Sequence, residues 1–167
     1  ALLRGINVGG NNKIKMADLK VCLEKAGFQN VRTYIQSGNV LFESVEINKT
    51  ALTDKFEQAV VDTFRLNVPT VILNEPEIRA IAKNTPANWL QNPEWKYNYV
   101  FLKPPYNIDE VVDAIGELKP DIEATTVGEG VLYQGMSIKL FGRTTTGKLA
   151  GKPVYKIMTI RNHNTVT

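Results

Sequence analysis

The order of hydrophobic patterns along this chain, which occurs twice, is the feature that most constrains its fold. In residues 16–26 and 48–64, apolar side chains recur every three or four positions, as on one face of a helix. Short runs rich in β-branched and aromatic residues lie before, between and after these two segments. The first half is therefore predicted to run strand, helix, strand, strand, helix, strand, and residues 97–160 are predicted to repeat that order.

This order is that of the ferredoxin-like β-α-β-β-α-β unit, so the predicted fold class is α+β, a tandem duplication with antiparallel sheets. The first unit is predicted to cover residues 1–84, including a trailing short helix that begins with a capping box at Asn74 and Glu77. Residues 85–96, which contain two prolines, are predicted to form a linker. The second unit is predicted to cover residues 97–167, with a last strand at 154–160 and a truncated C-terminal element.

Composition excludes several classes of protein. Hydrophobic residues make up 43% and charged residues 22%, as in globular domains. The single cysteine, Cys22, and the single histidine, His163, leave no pair for a disulfide or a zinc site, and no metal or cofactor is predicted. No apolar run is long enough to span a membrane and no signal peptide opens the chain, so we expect a cytoplasmic protein. The net charge of +3 permits an anionic partner, and the oligomeric state stays open.

A glycine-rich loop is the strongest candidate for a binding site. In a β-α-β-β unit the loop after the first strand and the tip of the hairpin share one edge of the sheet, which places residues 4–10 beside residues 37–39. Glycines allow backbone N–H groups to converge on an anion, and Arg4, Lys13 and Arg32 supply positive charge. The candidate ligand-binding residues in this half are Arg4, Gly5, Asn7, Gly9, Gly10, Arg32, Tyr34, Ser37, Gly38 and Asn39. The alternative is that the glycines and asparagines only satisfy the backbone of the loop.

Three segments, residues 1–10, 32–40 and 158–162, resemble the signature segments of the bacterial domain-of-unknown-function 1697 family. The resemblance implies a tandem pair of ferredoxin-like units, and it implies little about function because the family carries no established activity. It adds Arg161 and Asn162 to the candidate ligand-binding residues. His163 stands where the family motif usually has tryptophan.

The preferred hypothesis is a binding module for a small ligand that carries phosphate or carboxylate. A nucleic-acid-binding protein with a basic sheet face is the first alternative, since Tyr97, Tyr99 and Phe101 alternate on one strand as in a platform for stacked bases. The second alternative is an enzyme of unknown reaction that uses Ser37, His163 and Arg161. The sequence contains no recognisable catalytic constellation, so this question stays open and the catalytic residues are unknown.

A near match to a phosphate-binding motif occurs at residues 142–148, which read Gly-x4-Gly-Lys. The next residue is Leu149, where a serine or threonine would hold magnesium. Gly151 and Pro153 also prevent the long helix that such a loop begins. We therefore interpret this motif as a coincidence of composition.

Overall fold

A computed structural model describes residues 1–10 and 12–167, and at Ala150 it describes the backbone alone. The chain forms two compact units, Ala1–Leu73 and Asn74–Thr167. Each unit is described by itself below. Among the described residues, no helix combines the length and the apolar character needed to cross a membrane.

The first unit has the β-α-β-β-α-β order. Its elements are β1 (Leu2–Leu3), α1 (Met16–Lys25), β2 (Gln29–Tyr34), β3 (Asn39–Glu43), α2 (Lys49–Phe64) and β4 (Thr70–Val71). The strands form one antiparallel sheet in the order β2-β3-β1-β4. Strands β1 and β2 therefore run in the same direction, so the loop after β1 and the β2–β3 turn lie at the same edge.

The core of the first unit lies between one face of this sheet and the two helices. It is built from side chains that recur at helical spacing in α1 and α2 and from alternate strand residues, including Leu3, Leu19, Leu23, Val31, Val40, Phe56 and Val60. Asn48 caps α2, because its side chain accepts a hydrogen bond from the amide of Ala51. The apolar faces that helix periodicity and strand alternation predict thus all lie in this one core.

The second unit repeats the strand order. Its elements are α3 (Glu75–Lys83), β5 (Trp95–Leu102), α4 (Ile108–Ile115), β6 (Glu123–Gly128), β7 (Val131–Ser137), β8 (Met158–Asn162) and α5 (His163–Val166). The four strands form an antiparallel sheet in the order β6-β7-β5-β8. The structure therefore confirms the predicted fold class, a tandem of ferredoxin-like α+β units.

The second unit differs from the prediction in its last third. Three short 3-10 segments, Phe141–Arg143, Thr146–Gly151 and Pro153–Ile157, stand where the first unit has α2. The predicted strand at 154–160 is displaced, because Pro153 opens a 3-10 turn and pairing with β5 begins only at Met158. The apolar pattern of residues 131–141 predicts one long strand, but β7 ends at Ser137.

Helix α3 and the predicted linker both belong to the second compact unit, whereas the sequence placed α3 with the first. The capping box at Asn74 is present as predicted. The carbonyl of Ile81 in α3 accepts a hydrogen bond of 2.8 Å from the hydroxyl of Tyr133 in β7. Strand β5 begins at Trp95, inside the predicted linker. Contacts between α3 and the second sheet therefore determine the boundary between the two units. These contacts cannot be predicted from hydrophobic periodicity along the chain.

Candidate functional site

The described part of the glycine-rich loop, residues 4–10, 12 and 13, contacts the tip of the β2–β3 hairpin. The side chain of Asn7 donates a hydrogen bond of 3.0 Å to the carbonyl of Gln36 in the hairpin. A Cβ added at Gly38 would lie 2.8 Å from Cγ1 of Ile6, so only glycine fits between hairpin and loop. These contacts place the loop beside the hairpin tip, the arrangement expected from the direction of the strands.

Asn7 acts as a clamp for the loop. Its Nδ2 donates to the carbonyl of Ile14 at 2.8 Å, and its Oδ1 accepts from the amide of Ile14 at 2.9 Å. Its backbone has φ of 56°, a left-handed conformation that asparagine tolerates better than most residues. One side chain therefore ties the loop to the residues that precede α1 and to the hairpin.

The hairpin tip is stabilised from within. The small polar residues 36–39 predict the turn, and the structure forms it one residue earlier, at residues 35–38. Asn39 is buried, and its Nδ2 donates to the carbonyl of Tyr34 and to the hydroxyl of Ser37, both at 3.1 Å. Ser37 and Asn39 therefore have a structural role in the turn, as Asn7 has in the loop.

The glycines of the loop face open space. Gly5, Gly9 and Gly10 have φ of 65°, 60° and 82°, and a Cβ added at any of them would meet no atom within 4 Å. These glycines are required by backbone conformation and not by close packing. Among the described residues, no acceptor lies within hydrogen-bonding range of the backbone N–H of Gly9 or Gly10. Both residues are exposed.

Positive charge surrounds the end of the loop. Helix α1 begins at Met16, and the side chain of the preceding residue, Lys15, makes no capping hydrogen bond. In α2, by contrast, the side chain of Asn48 accepts from a first-turn amide. Lys13 and Lys15 are exposed. Asp18 in the first turn contributes a negative charge. The N-terminal dipole of α1 and the two lysines together favour an anion at this position.

Arg32 and Tyr34 lie on the sheet face opposite the helices. Both side chains are exposed, and they pair across the sheet with Leu41 and Asn39 of β3. The amide of Arg4 donates to the carbonyl of Pro69, which fixes the start of the loop beside β4. Arg4 itself is half-buried. Arg4, Arg32 and Tyr34 thus belong to the edge region and the open face of the first sheet.

Arg161 and Asn162 belong to β8 in the second unit. Arg161 is 6% exposed, its Nη1 donates to the carbonyl of Ile160, and burial lowers its pKa to about 10. Asn162 donates from its side chain to the carbonyl of Tyr97 and accepts from the amide of Asn164, so it joins β5 to the start of α5. The candidate residues thus divide between the two compact units.

The aromatic strand of the second unit is covered. Tyr97, Tyr99 and Phe101 are 9%, 0% and 0% exposed. The ring of Trp89 lies 4.8 Å from that of Tyr97 and 5.9 Å from that of Tyr99, centroid to centroid. A base cannot stack on Tyr97 or Tyr99 while Trp89 is in place.

The motif at residues 142–148 binds a carboxylate of the same chain. Glu123 is 1% exposed and accepts hydrogen bonds from the amides of Thr145 at 2.9 Å, Thr146 at 3.3 Å and Lys119 at 3.2 Å. Burial raises the pKa of this carboxyl, but the hydrogen bonds from these three residues outweigh it and hold the pKa below its usual value. This role was not predicted from the sequence, where the available signal was an acidic residue at the first position of a strand.

His163 is held by its neighbours. Its Nδ1 lies 3.2 Å from the indole nitrogen of Trp89 and 3.1 Å from the hydroxyl of Tyr99, and burial lowers its pKa. Ser37, which the enzyme hypothesis combines with His163, lies in the other compact unit. In the described part of the chain, no three His, Cys, Asp or Glu side chains lie together in a way that could hold a metal ion.

A shallow cavity of about 340 Å³ lies in the first unit between α2 and the residues before β4. Its polar lining includes Asp54, Glu57, Gln58 and Asn67. The carboxylate of Glu57 accepts from the amide of Thr70 at 2.8 Å. The acidic lining disfavours an anion here, so this cavity is separate from the glycine-rich edge in its chemistry as well as in its residues.

Comparisons with known proteins agree with the resemblance noted in the sequence. Residues 1–133 match the model of the family described as "Protein of unknown function (DUF1697)". No curated protein matches. A solved structure, that of conserved bacterial protein SP0830 from Streptococcus pneumoniae, is 30% identical, with a TM-score of 0.81 over 99% of this chain and 92% of that chain. The family match contains the whole glycine-rich edge and ends inside β7. The chain belongs to the DUF1697 family of proteins of unknown function.

Proposed function

We propose that this protein binds a small phosphate- or carboxylate-bearing ligand at the glycine-rich edge of its first unit. The observation that carries the proposal is the loop itself: Asn7 fixes its course, while the amides of Gly9 and Gly10 have no acceptor among the described residues. Gly9 and Gly10 lie in a turn, and successive backbone N–H groups in a turn form a concave site that suits an anion.

The surrounding charge supports an anion over a neutral ligand. Lys13 and Lys15 are exposed at the start of α1, whose first turn has no side-chain cap at Lys15. Arg4 lies at the start of the same loop. A helix N-terminus stabilises a nearby anion by about 0.3–1 kcal/mol, and exposed lysines add a salt-sensitive attraction. The expected affinity is therefore modest and decreases as ionic strength rises.

The hydrogen bonds also divide the candidate residues by role. Asn7, Ser37 and Asn39 use their side chains within the loop and hairpin, so we assign them to holding the edge in shape. Gly38 is required by its close contact with Ile6. The residues proposed to contact the ligand are Arg4, Gly9, Gly10, Lys13 and, from the open sheet face, Arg32.

The test is a titration followed by ¹H-¹⁵N NMR, with inorganic phosphate, pyrophosphate and citrate as probes. Binding at the edge shifts the amide signals of Gly9 and Gly10, and the response saturates. Lys13→Ala weakens the response. Lys25→Ala is the matched control, because it removes the same charge from the exposed last turn of α1 and leaves the response unchanged.

Two results would contradict the proposal. One is the absence of any saturable shift at Gly9 and Gly10 with all three probes at low salt. The other is an equal effect of Lys13→Ala and Lys25→Ala, which would indicate general charge screening. A response to oligonucleotides alone, steeply dependent on salt, would favour the nucleic-acid alternative.

A further inference from the structure

The segment that covers the tyrosines of the second sheet makes one of its hydrogen bonds to the imidazole of His163. Residues 85–94, here called the cover segment, carry Trp89 over the rings of Tyr97, Tyr99 and Tyr133. The indole N–H of Trp89 lies 3.2 Å from Nδ1 of His163. The rings of Tyr99 and His163 stack with centroids 6.0 Å apart.

The chemistry of the indole determines the state of the imidazole. A tryptophan side chain can only donate, so Nδ1 of His163 must be the unprotonated nitrogen that accepts. The proton is then on Nε2, which lies 3.4 Å from the hydroxyl of Thr167. That hydroxyl donates in turn to the carbonyl of His163. Both ring nitrogens are thus satisfied in the neutral form with the proton on Nε2.

Protonation of Nδ1 would place two N–H donors against each other. The added proton can be accepted by the hydroxyl of Tyr99, which is 3.1 Å away, but the indole of Trp89 then loses its acceptor. We propose that His163 is a pH-sensitive latch: its neutral imidazole holds Trp89 over the tyrosines, and its protonation releases the indole while the two ends of the cover segment stay attached.

The other groups around the imidazole do not favour its charged form. Strand β5 contributes Tyr99, β7 contributes Tyr133 behind it, and β8 contributes the cation Arg161, which pairs with Tyr99 in register. The cover segment contributes Thr85 and Trp89, which are uncharged. Among the described residues, no carboxylate hydrogen-bonds to His163. Burial accordingly lowers the pKa of His163 from 6.5.

Release would have a structural consequence at both ends of the segment. Thr85 donates to the carbonyl of Ala82 at the end of α3 and lies 2.8 Å from the hydroxyl of Tyr99. The amide of Asn92 donates to the hydroxyl of Tyr97. These two points stay attached when His163 is protonated, so the cover segment would open as a loop about Trp89 and expose aromatic rings.

Side-chain NMR tests the latch directly, because the chain has one histidine and two tryptophans. We expect His163 to carry its proton on Nε2, to titrate below 6.5, and to shift the indole N–H signal of Trp89 with the same midpoint, while the Trp95 signal stays constant. In a Trp95→Phe variant, where Trp89 is the remaining tryptophan, acrylamide quenching of its fluorescence increases as the pH falls through that midpoint.

Two variants complete the test. Trp89→Phe keeps a ring but removes the donor, so the midpoint of His163 moves upward towards its ordinary value. His163→Asn removes the titration, so the Trp89 signal becomes independent of pH between 5 and 8. A proton on Nδ1 in the wild type, an ordinary or raised midpoint, or an indole signal unaffected by the His163 titration would overturn the proposal, and these observations need no variant.

Discussion

The clamp formed by Asn7 allows a quantitative test of what holds the glycine-rich edge. Asn7→Gly removes hydrogen bonds to Ile14 and Gln36 but keeps the left-handed backbone available. At about 1 kcal/mol net per hydrogen bond, the free energy of unfolding decreases by about 2–3 kcal/mol. Asn7→Ala also forces a Cβ into the left-handed region, which adds about 1 kcal/mol. For a chain of this length, a total of about 3–4 kcal/mol lowers Tm by roughly 6–16 °C.

Asn30 provides the matched control. It has a similar left-handed backbone, with φ of 49°, but its side chain makes an exposed hydrogen bond to Glu43. Asn30→Gly should change stability by less than about 0.5 kcal/mol, while Asn30→Ala shows the backbone cost of about 1 kcal/mol alone. Urea unfolding of the four variants measures these differences. Equal stability of Asn7→Gly and wild type would refute the argument, because the clamp would then contribute nothing beyond its backbone conformation.

Three further predictions concern other parts of the chain. Glu123→Gln should reduce the free energy of unfolding at pH 7 by about 2–4 kcal/mol in thermal melts, because it removes charge-assisted hydrogen bonds. Since folding lowers the pKa of this carboxyl from 4.5, its contribution is fully present above 4.5 and is lost as the pH falls through the lowered value; a difference that persists unchanged in acid would contradict this. Gly147→Ala should destabilise by at least about 1 kcal/mol, because its Cβ would clash with the carbonyl oxygen of Phe141, whereas Gly142→Ala, with open space around its Cβ, should be near neutral in the same melts. Asp18→Asn should tighten phosphate binding about two- to fivefold by removing a negative charge from the first turn of α1, and weaker binding in the titration would argue against a site there.

Most of the fold was predictable because local signals and tertiary packing agree. The capping box at Asn74 and the apolar periods of α1 and α2 appear where the sequence indicates. The direction of the strands then determined which loops share an edge. The prediction failed where the secondary structure of an apolar segment depends on distant partners. Residues 154–157 have the composition of a strand, but they follow Pro153 and do not pair with β5, so they form a 3-10 turn.

The candidate site was predictable only in part. Strand topology was sufficient to bring the glycine-rich loop to the hairpin, as the contact between Asn7 and Gln36 shows. The roles of individual side chains were not accessible, because an asparagine that binds a ligand and one that binds a backbone carbonyl look the same in a sequence. The contact between Trp89 and His163 joins residues that are 74 positions apart, and no periodicity encodes such a contact.

The two glycine-containing loops of this chain, residues 4–13 and 142–148, show why motif and site must be separated. The second loop matches a phosphate-binding pattern, yet its amides converge on Glu123, so the anion that the pattern calls for is supplied by the chain itself. The first loop matches no such pattern, yet no carboxylate among the described residues accepts from Gly9 or Gly10. Converging amides near a helix N-terminus are stabilised by a negative charge, whichever molecule provides it. A loop whose amides bind a carboxylate of the same chain has a structural role. A loop without such a carboxylate is where the binding of an external anion is most favourable. We therefore propose the glycine-rich edge, and not the motif at residues 142–148, as the binding site.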